Sequence, residues 1–136
     1  MPPISDLTIL LSSMQPQLSP GTYAFATLQT DQAVHLSDVV ALIREEEGTS
    51  VVVREEDLKR LGLIPVFLCS WITLTVNSDL QAVGLTAAFA NALGREGISC
   101  NVVAGTNHDH LFVPVSQAPA AMEALHALQG RSAVER

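Results

Sequence analysis

The sequence has few basic residues and few aromatic side chains. Seven Lys and Arg stand against 14 Asp and Glu in 136 residues, which gives a formal net charge of −7, and aromatic residues are 4% of the chain. A nucleic-acid-binding protein needs a basic face that neutralises phosphates. The composition therefore argues against nucleic acid as a partner.

Cysteine is scarce as well. The two cysteines, Cys69 and Cys100, each lie within an apolar run. Two are too few for a disulfide framework in a chain of this size, and free cysteine is commonly buried. We expect two buried, reduced thiols and neither a redox pair nor a nucleophile.

Long hydrophobic runs are missing too. The uncharged apolar segment at residues 62–78 contains Pro65 and several polar side chains. It falls short of the ~20 apolar residues that span a bilayer. The N-terminal residues carry no positive charge ahead of the first apolar stretch, unlike a signal peptide. We expect a cytoplasmic protein without a membrane partner.

Apolar residues are abundant, at 48% of the chain, which is enough for one domain or two very small ones. In the first half, Ser5 is positioned to cap a short helix that Pro16 stops. Residues 22–28 are rich in strand formers. The β-branched runs at 39–44 and 50–54 predict a hairpin, although the glutamates leave a helix open for the first run.

The second half reads as alternating strands and helices. A short helix at residues 55–62 ends the first half. Residues 66–76 then predict one bent strand, or two strands broken near Ser70. A helix follows, up to Glu96, and then strands at 98–104 and 110–115. The last helix is predicted to begin at a Ser116 cap and end at Gly130, with a frayed tail beyond it.

The stretch from Val83 to Val102 resembles a known module. Gly84-Leu85 at a helix start, followed by Gly97-Ile98 and Asn101-Val102 at the next strand, is similar to the ACT domain, a regulatory module that binds small molecules. The whole chain also resembles a family of small bacterial proteins with two ACT-like halves. Five stretches carry this likeness in order: residues 18–25, 44–48, 72–76, 82–87 and 108–114.

The resemblance implies an α+β fold of the ferredoxin-like, ACT type, with antiparallel sheets, helices on one face and two ACT-like halves at residues 1–70 and 71–130. An ACT domain has the order β-α-β-β-α-β. The second half ends before a last strand, so another strand must cover the exposed sheet edge. We expect residues 22–28 to cross over, or the two halves to share strands.

The resemblance also implies a ligand site between two modules. Amide groups at the helix start would take a carboxylate, with Asp79 as partner of the ligand's ammonium group and Asn101 as polar anchor. Three alternatives stay open: Gly84 as a packing glycine, Ser78 and Asp79 as mere helix caps, and Asn101 as a side chain that only satisfies backbone groups at the sheet edge. The ligand-binding residues implied are Asn77, Ser78, Asp79, Val83, Gly84, Leu85, Cys100, Asn101 and Val102.

His108, Asp109 and His110 form a second group of polar residues. In an extended strand the two histidines would share a face, as a metal site requires, but a stable zinc site needs three or four ligands. We therefore expect a turn that is structural or contacts a ligand, with no metal and no cofactor.

The resulting function is a sensor that binds a small molecule, expected to be an amino acid, as a homodimer or other homo-oligomer without catalysis of its own. Any regulated protein partner is unidentified by the sequence. The alternatives are a small metal-dependent enzyme that uses the two histidines and Asp109, and a purely structural interaction module.

Overall fold

The computed structural model describes residues 6–75 and 83–135. Their α-helices and β-strands are labelled in chain order. Short 3₁₀ helices at Leu36–Asp38, Glu55–Asp57 and Val115–Gln117 lead into longer elements. The order is α1 (Leu7–Ser13), β1 (Pro16–Leu18), β2 (Tyr23–Leu28), β3 (Val39–Glu45), β4 (Gly48–Arg54), α2 (Leu58–Leu61), β5 (Phe67–Leu74), α3 (Leu85–Arg95), β6 (Asn101–Ala104), β7 (Asp109–Pro114) and α4 (Ala118–Glu135).

Contacts divide the described residues into two compact units. The helix-rich unit contains residues 6–19 together with those from Trp71 onward, and the hairpin unit is Pro20–Ser70. The predicted ACT-like halves, 1–70 and 71–130, divide the sequence differently, because residues 6–19 make their contacts with the helix-rich unit. That pair of boundaries stays a prediction.

In the helix-rich unit the strands run in the order β1-β5-β7-β6. Strand β1 pairs antiparallel with the last residues of β5, from Leu18 opposite Ile72 to Pro16 opposite Leu74. The expectation that another strand covers this edge is therefore confirmed, with β1 rather than residues 22–28 as that strand. The alternative that strands are shared also holds, because β5 contributes its first residues to one unit and its last residues to the other. A three-residue strand that begins with proline carries too little β signal to be predicted from sequence.

In the hairpin unit the order is β3-β4-β2-β5, with antiparallel pairing of β2 to β4 and to the first residues of β5. Strands β3 and β4 form the predicted hairpin, so the helical alternative for residues 39–44 is wrong. Gly48 has φ +146° and starts β4. A Cβ there would lie 2.8 Å from the Thr27 methyl group, so this turn needs glycine for space as well as for conformation.

Each unit has its own apolar core. In the helix-rich unit, alternate residues of β5 and β7 (Ile72, Leu74, Leu111 and Val113) pack with the buried faces of α1, α3 and α4, which is the period-two pattern of a sheet with one covered face. Phe89 of α3 lies fully buried among them. The hairpin unit has a core of smaller side chains: Ala24, Ala26, Leu28, Val51, Val53, Leu58 and Leu63.

Several predicted element boundaries are corrected. The side chain that caps α1 is Asp6, which accepts from the amide of Ile9, whereas Ser5 lies outside the described residues. Strand β5 runs through Ser70 without a break. A 3₁₀ helix, rather than a Ser116 cap, leads into α4.

Helix α4 also continues through Gly130 to Glu135, so the predicted end and the predicted frayed tail are wrong. Contacts with α1 explain the extension. Gln129 Nε2 donates to the carbonyl of Ser12 on α1 at 3.3 Å. Within α4 itself, the buried Ser132 hydroxyl donates to the carbonyl of Leu128 at 2.9 Å.

Candidate functional site

The start of helix α3 is the first candidate site. Gly84 is its N-cap residue, with φ +98°, and its carbonyl accepts the first intrahelical bond from the amide of Ala88 at 2.9 Å. The amides of the first helical turn have no acceptor within the helix itself. Glycine brings no side chain to cap them, so this end of α3 has the geometry of an anion-binding helix terminus.

The residues around Gly84 differ in exposure. Val83 is 84% exposed, whereas Leu85 is buried in the core. Asn77, Ser78 and Asp79 lie outside the described residues, so their part in the site stays a prediction.

Gly84 also has a packing neighbour. A Cβ at this position would lie 3.0 Å from a methyl group of Leu7 on α1. The packing alternative left open by the sequence therefore has a real contact, made with a helix. This side of the glycine is occupied by an apolar side chain, and a ligand would approach the amides from the side of the exposed Val83.

Strand β6 is the other part of the predicted ligand site. It is the last strand in the hydrogen-bonded order of the described residues. Asn101 is exposed, and its Nδ2 donates to the carbonyl of Phe112 at 3.3 Å. This bond agrees with the alternative that Asn101 satisfies backbone groups of the sheet, and it leaves the Oδ1 oxygen as a further acceptor.

Cys100 and Val102, which flank Asn101, are partly buried and pack against the core of the helix-rich unit. Burial raises the pKa of the Cys100 thiol to about 11. Cys100 is therefore a neutral thiol near pH 7, and it can line a site by shape but not by charge.

His108 ends the connection between β6 and β7, and Asp109 and His110 are the first two residues of β7. The amide of Gly105 donates to the carbonyl of His108 at 2.9 Å, which closes the turn. Asp109 is buried at the start of β7, and desolvation raises the pKa of its carboxyl group. The expectation of a structural turn at this position agrees with the observed hydrogen bond, and ligand contact by the three residues stays a prediction.

His110 belongs to a polar cluster that the sequence did not predict. Its Nδ1 accepts a hydrogen bond from the Trp71 indole N–H at 3.0 Å and lies 3.2 Å from the Thr73 hydroxyl. Because an indole N–H can only donate, Nδ1 must be unprotonated, and the neutral ring carries its proton on Nε2. Burial lowers the pKa of His110, which favours the same neutral form.

The turn leaves room for this ring. A Cβ on Gly105 would lie 3.2 Å from Nε2 of His110 and 3.0 Å from the carbonyl oxygen of His108. Both contacts are tighter than an ordinary van der Waals approach. Trp71 and Thr73 lie two residues apart on β5 and so share a strand face, but no sequence signal joins them to His110, which is 39 residues away from Trp71.

The described residues contain no group of three or more His, Cys, Asp or Glu side chains that could hold a metal ion. His110 already uses Nδ1 for Trp71.

Within residues 6–75 and 83–135, no helix is long and apolar enough to cross a membrane.

Family models give the same classification for both parts of the chain. One ACT-domain model matches residues 2–70, and a second matches residues 66–127. None of the curated protein sequences matches the chain.

The chain is 44% identical to a Vibrio cholerae protein of unknown function, named a possible transport protein, with a TM-score of 0.76 over 90% of this chain and 95% of that one. An Agrobacterium tumefaciens protein is 18% identical, with a TM-score of 0.62 over 85% and 89% of the two chains. The regulatory subunit of aspartate kinase from Thermus flavus is 11% identical, with a TM-score of 0.57 over 83% and 95%. At these last two identities the likeness concerns the fold alone.

Proposed function

The chain belongs to the ACT-domain family, whose members are ligand-binding regulatory modules, and on that premise we propose that it senses an amino acid without catalysing a reaction. The proposed ligand lies between the helix-rich units of two copies of the chain. The start of α3 in one copy and strand β6 in the other supply the polar contacts.

The observation that carries this proposal is the left-handed Gly84 at the start of an eleven-residue helix. The partial positive charge of the helix terminus and its amides, which have no acceptor within the helix, favour the ligand's carboxylate. A side chain at Gly84 would contact Leu7 and would be strained at φ +98°. Glycine therefore keeps the backbone accessible where the carboxylate would bind.

Asn101 supports the second contact. With Nδ2 held by the carbonyl of Phe112, its Oδ1 can accept from the ligand's ammonium group. Strand β6 has backbone groups on its outer side that can pair with a second copy. A homodimer that brings β6 towards another α3 is therefore part of the proposal, as is the expectation that ligand occupancy alters the dimer or a regulated partner.

A thermal-shift screen with the twenty amino acids tests the proposed function. A ligand at about 100 times its Kd should add ~2.7 kcal/mol to the free energy of unfolding. The Asn101→Ala variant should lose most of the shift, because the ammonium group loses its acceptor. Asn107→Ala, at another exposed asparagine of the same unit, should retain it.

Two other results of the screen would contradict the proposal. If no amino acid shifts the melting temperature at millimolar concentration, the chain is better described as a structural interaction module. If Asn101→Ala and Asn107→Ala both respond like the wild type, the ligand binds elsewhere and the proposed site is wrong.

A further inference from the structure

The hairpin unit has a surface cavity of about 340 Å³ at the end where β2 begins and β4 ends. Two short segments line it, residues 20–23 and 54–56. This volume lies at the lower end of the range for small-molecule sites. No residue of this cavity belongs to the start of α3 or to strand β6.

Hydrogen bonds hold the two walls in place. The Tyr23 hydroxyl donates to the carbonyl of Pro20 at 3.0 Å, and the amide of Glu55 donates to the carbonyl of Thr22 at 2.9 Å. Tyr23 also pairs with Arg54 across the sheet and is itself buried. The backbone around the cavity is thus fixed by contacts on both sides.

Gly21 forms part of one wall in a turn that favours glycine. It has φ +89°, and nothing lies within 4 Å of the position that its Cβ would take. The backbone conformation, rather than a lack of space, therefore requires glycine at this position.

The opposite wall carries one guanidinium group and two carboxylates, from Arg54, Glu55 and Glu56. Arg54 Nη1 lies 3.8 Å from Glu56 Oε1, which is longer than a hydrogen bond, and both side chains are more than half exposed. An exposed ion pair of this kind contributes little to stability. Both groups can therefore exchange this contact for a ligand at small cost.

We propose that this cavity binds a small molecule with two cationic groups and one carboxylate, which is a diamino monocarboxylic acid. The Arg54 guanidinium takes the ligand carboxylate through paired N–H donors. Glu55 and Glu56 each accept from one ammonium group. The formal charge of the wall, −1, is thereby balanced by a ligand with a net charge of +1.

L-Lysine is the probe for this site, with two matched analogues. L-Norleucine lacks the side-chain ammonium group, and cadaverine lacks the carboxylate. We expect lysine to perturb the NMR amide signals of residues 21–23 and 54–56. In calorimetry it should bind at least about tenfold more tightly than either analogue. Equal binding of the three compounds, or no binding of lysine at millimolar concentration, would overturn the proposal.

Substitutions on the cavity wall provide the second arm of the test. Arg54→Gln and Glu55→Gln should each weaken lysine binding by about tenfold or more, since each removes a charged contact. The controls are Arg44→Gln and Glu46→Gln, exposed residues of the β3–β4 hairpin that change the net charge by the same amount. These controls should bind lysine as the wild type does.

The same experiment separates this cavity from the site at α3. Loss of lysine binding in Asn101→Ala with retention in Arg54→Gln would support the α3 site and overturn the cavity proposal. The reverse pattern would support the cavity, whatever the amino-acid screen shows for α3.

Discussion

The helix-rich and hairpin units have the same strand order but different helices. An ACT domain has four strands, and each strand of a unit takes the place of one of them, with β1 in the place of the fourth. In both units the strands then lie in the order fourth, first, third, second: β1-β5-β7-β6 in the helix-rich unit and β5-β2-β4-β3 in the hairpin unit. Between the first and second strands the helix-rich unit has α3. At the same place the hairpin unit has residues 29–35 and the 3₁₀ helix Leu36–Asp38.

Polar contacts hold the hairpin unit together where it lacks this helix. Gln32 Nε2 donates to the carbonyl of Gly62 at 2.7 Å, and Arg60 contacts Asp38 at 2.8 Å and Asp57 at 3.3 Å. The Arg60 guanidinium lowers the pKa of the Asp38 carboxyl group. The comparison shows that the same strand order can be combined either with a helix that packs on the core or with a loop held by ion pairs and hydrogen bonds. In this chain the helix terminus proposed as the amino-acid site is found in the helix-rich unit.

The largest expected difference between the units is in their cores. Phe89→Ala removes a fully buried ring on the inner face of α3 and should lower the free energy of unfolding by about 3–5 kcal/mol. Val53→Ala, at an equally buried position of the hairpin unit, should cost about 1–3 kcal/mol, because it leaves a smaller cavity. Urea unfolding of both variants measures the difference, and equal losses would contradict the account of the two cores.

Two glycines of the α3 region test whether Gly84 is required by its backbone conformation. Gly84→Ala should destabilise the protein by about 1–3 kcal/mol, because the residue has φ +98° and a Cβ meets Leu7. Gly94→Ala, within the same helix and with open space around the new methyl group, should stabilise it by about 0.5–1 kcal/mol. Urea titration of the pair is the measurement. Stabilisation by both substitutions would place Gly84 in an ordinary helical conformation.

Some elements of the fold could be predicted from the sequence, and others could not. The hairpin and strand β2 follow from β-branched runs and a turn glycine, which are local signals, whereas the start of α3 near Gly84 was implied by the resemblance to the ACT domain. The strand at Pro16–Leu18 and the run of α4 through Gly130 depend on partners distant in sequence, β5 and α1. For the same reason the contact between Trp71 and His110 could not be predicted from the local pattern.

The reaction rates of the two cysteines test how deeply each thiol is buried in its unit. Desolvation raises the pKa of Cys69, in the hairpin unit, to about 12 and that of Cys100, in the helix-rich unit, to about 11. The thiolate is the reactive form, so Cys100 should react with a disulfide reagent at least about tenfold faster in the native protein. Kinetics of the Cys69→Ser and Cys100→Ser variants assign the phases, and faster reaction of Cys69 would contradict its burial.

The smallest expected effect is the pH dependence that His110 contributes. Its pKa is lowered in the folded state by burial and by His108, while Asp109 acts in the opposite direction. The unfolded chain therefore takes up a proton first as the pH falls below about 6.5, and stability decreases from there towards the folded-state pKa. Urea unfolding at pH 7.5 and about pH 5.5 should show a larger loss for the wild type than for His110→Asn, which has an oxygen that can accept from Trp71. An equal loss in the two proteins would mean that His110 does not contribute.

The proposed sensing role is tested most directly by mapping amino-acid binding onto the amides of the chain. The ¹⁵N-labelled protein is titrated with each of the twenty amino acids while the backbone signals are followed. The account predicts that at least one amino acid shifts the signals of Leu85, Thr86 and Ala87 together with that of Asn101, and that the shifts disappear in Asn101→Ala but persist in Asn107→Ala. If all twenty leave these four signals unmoved at millimolar concentration, the start of α3 is not an amino-acid site.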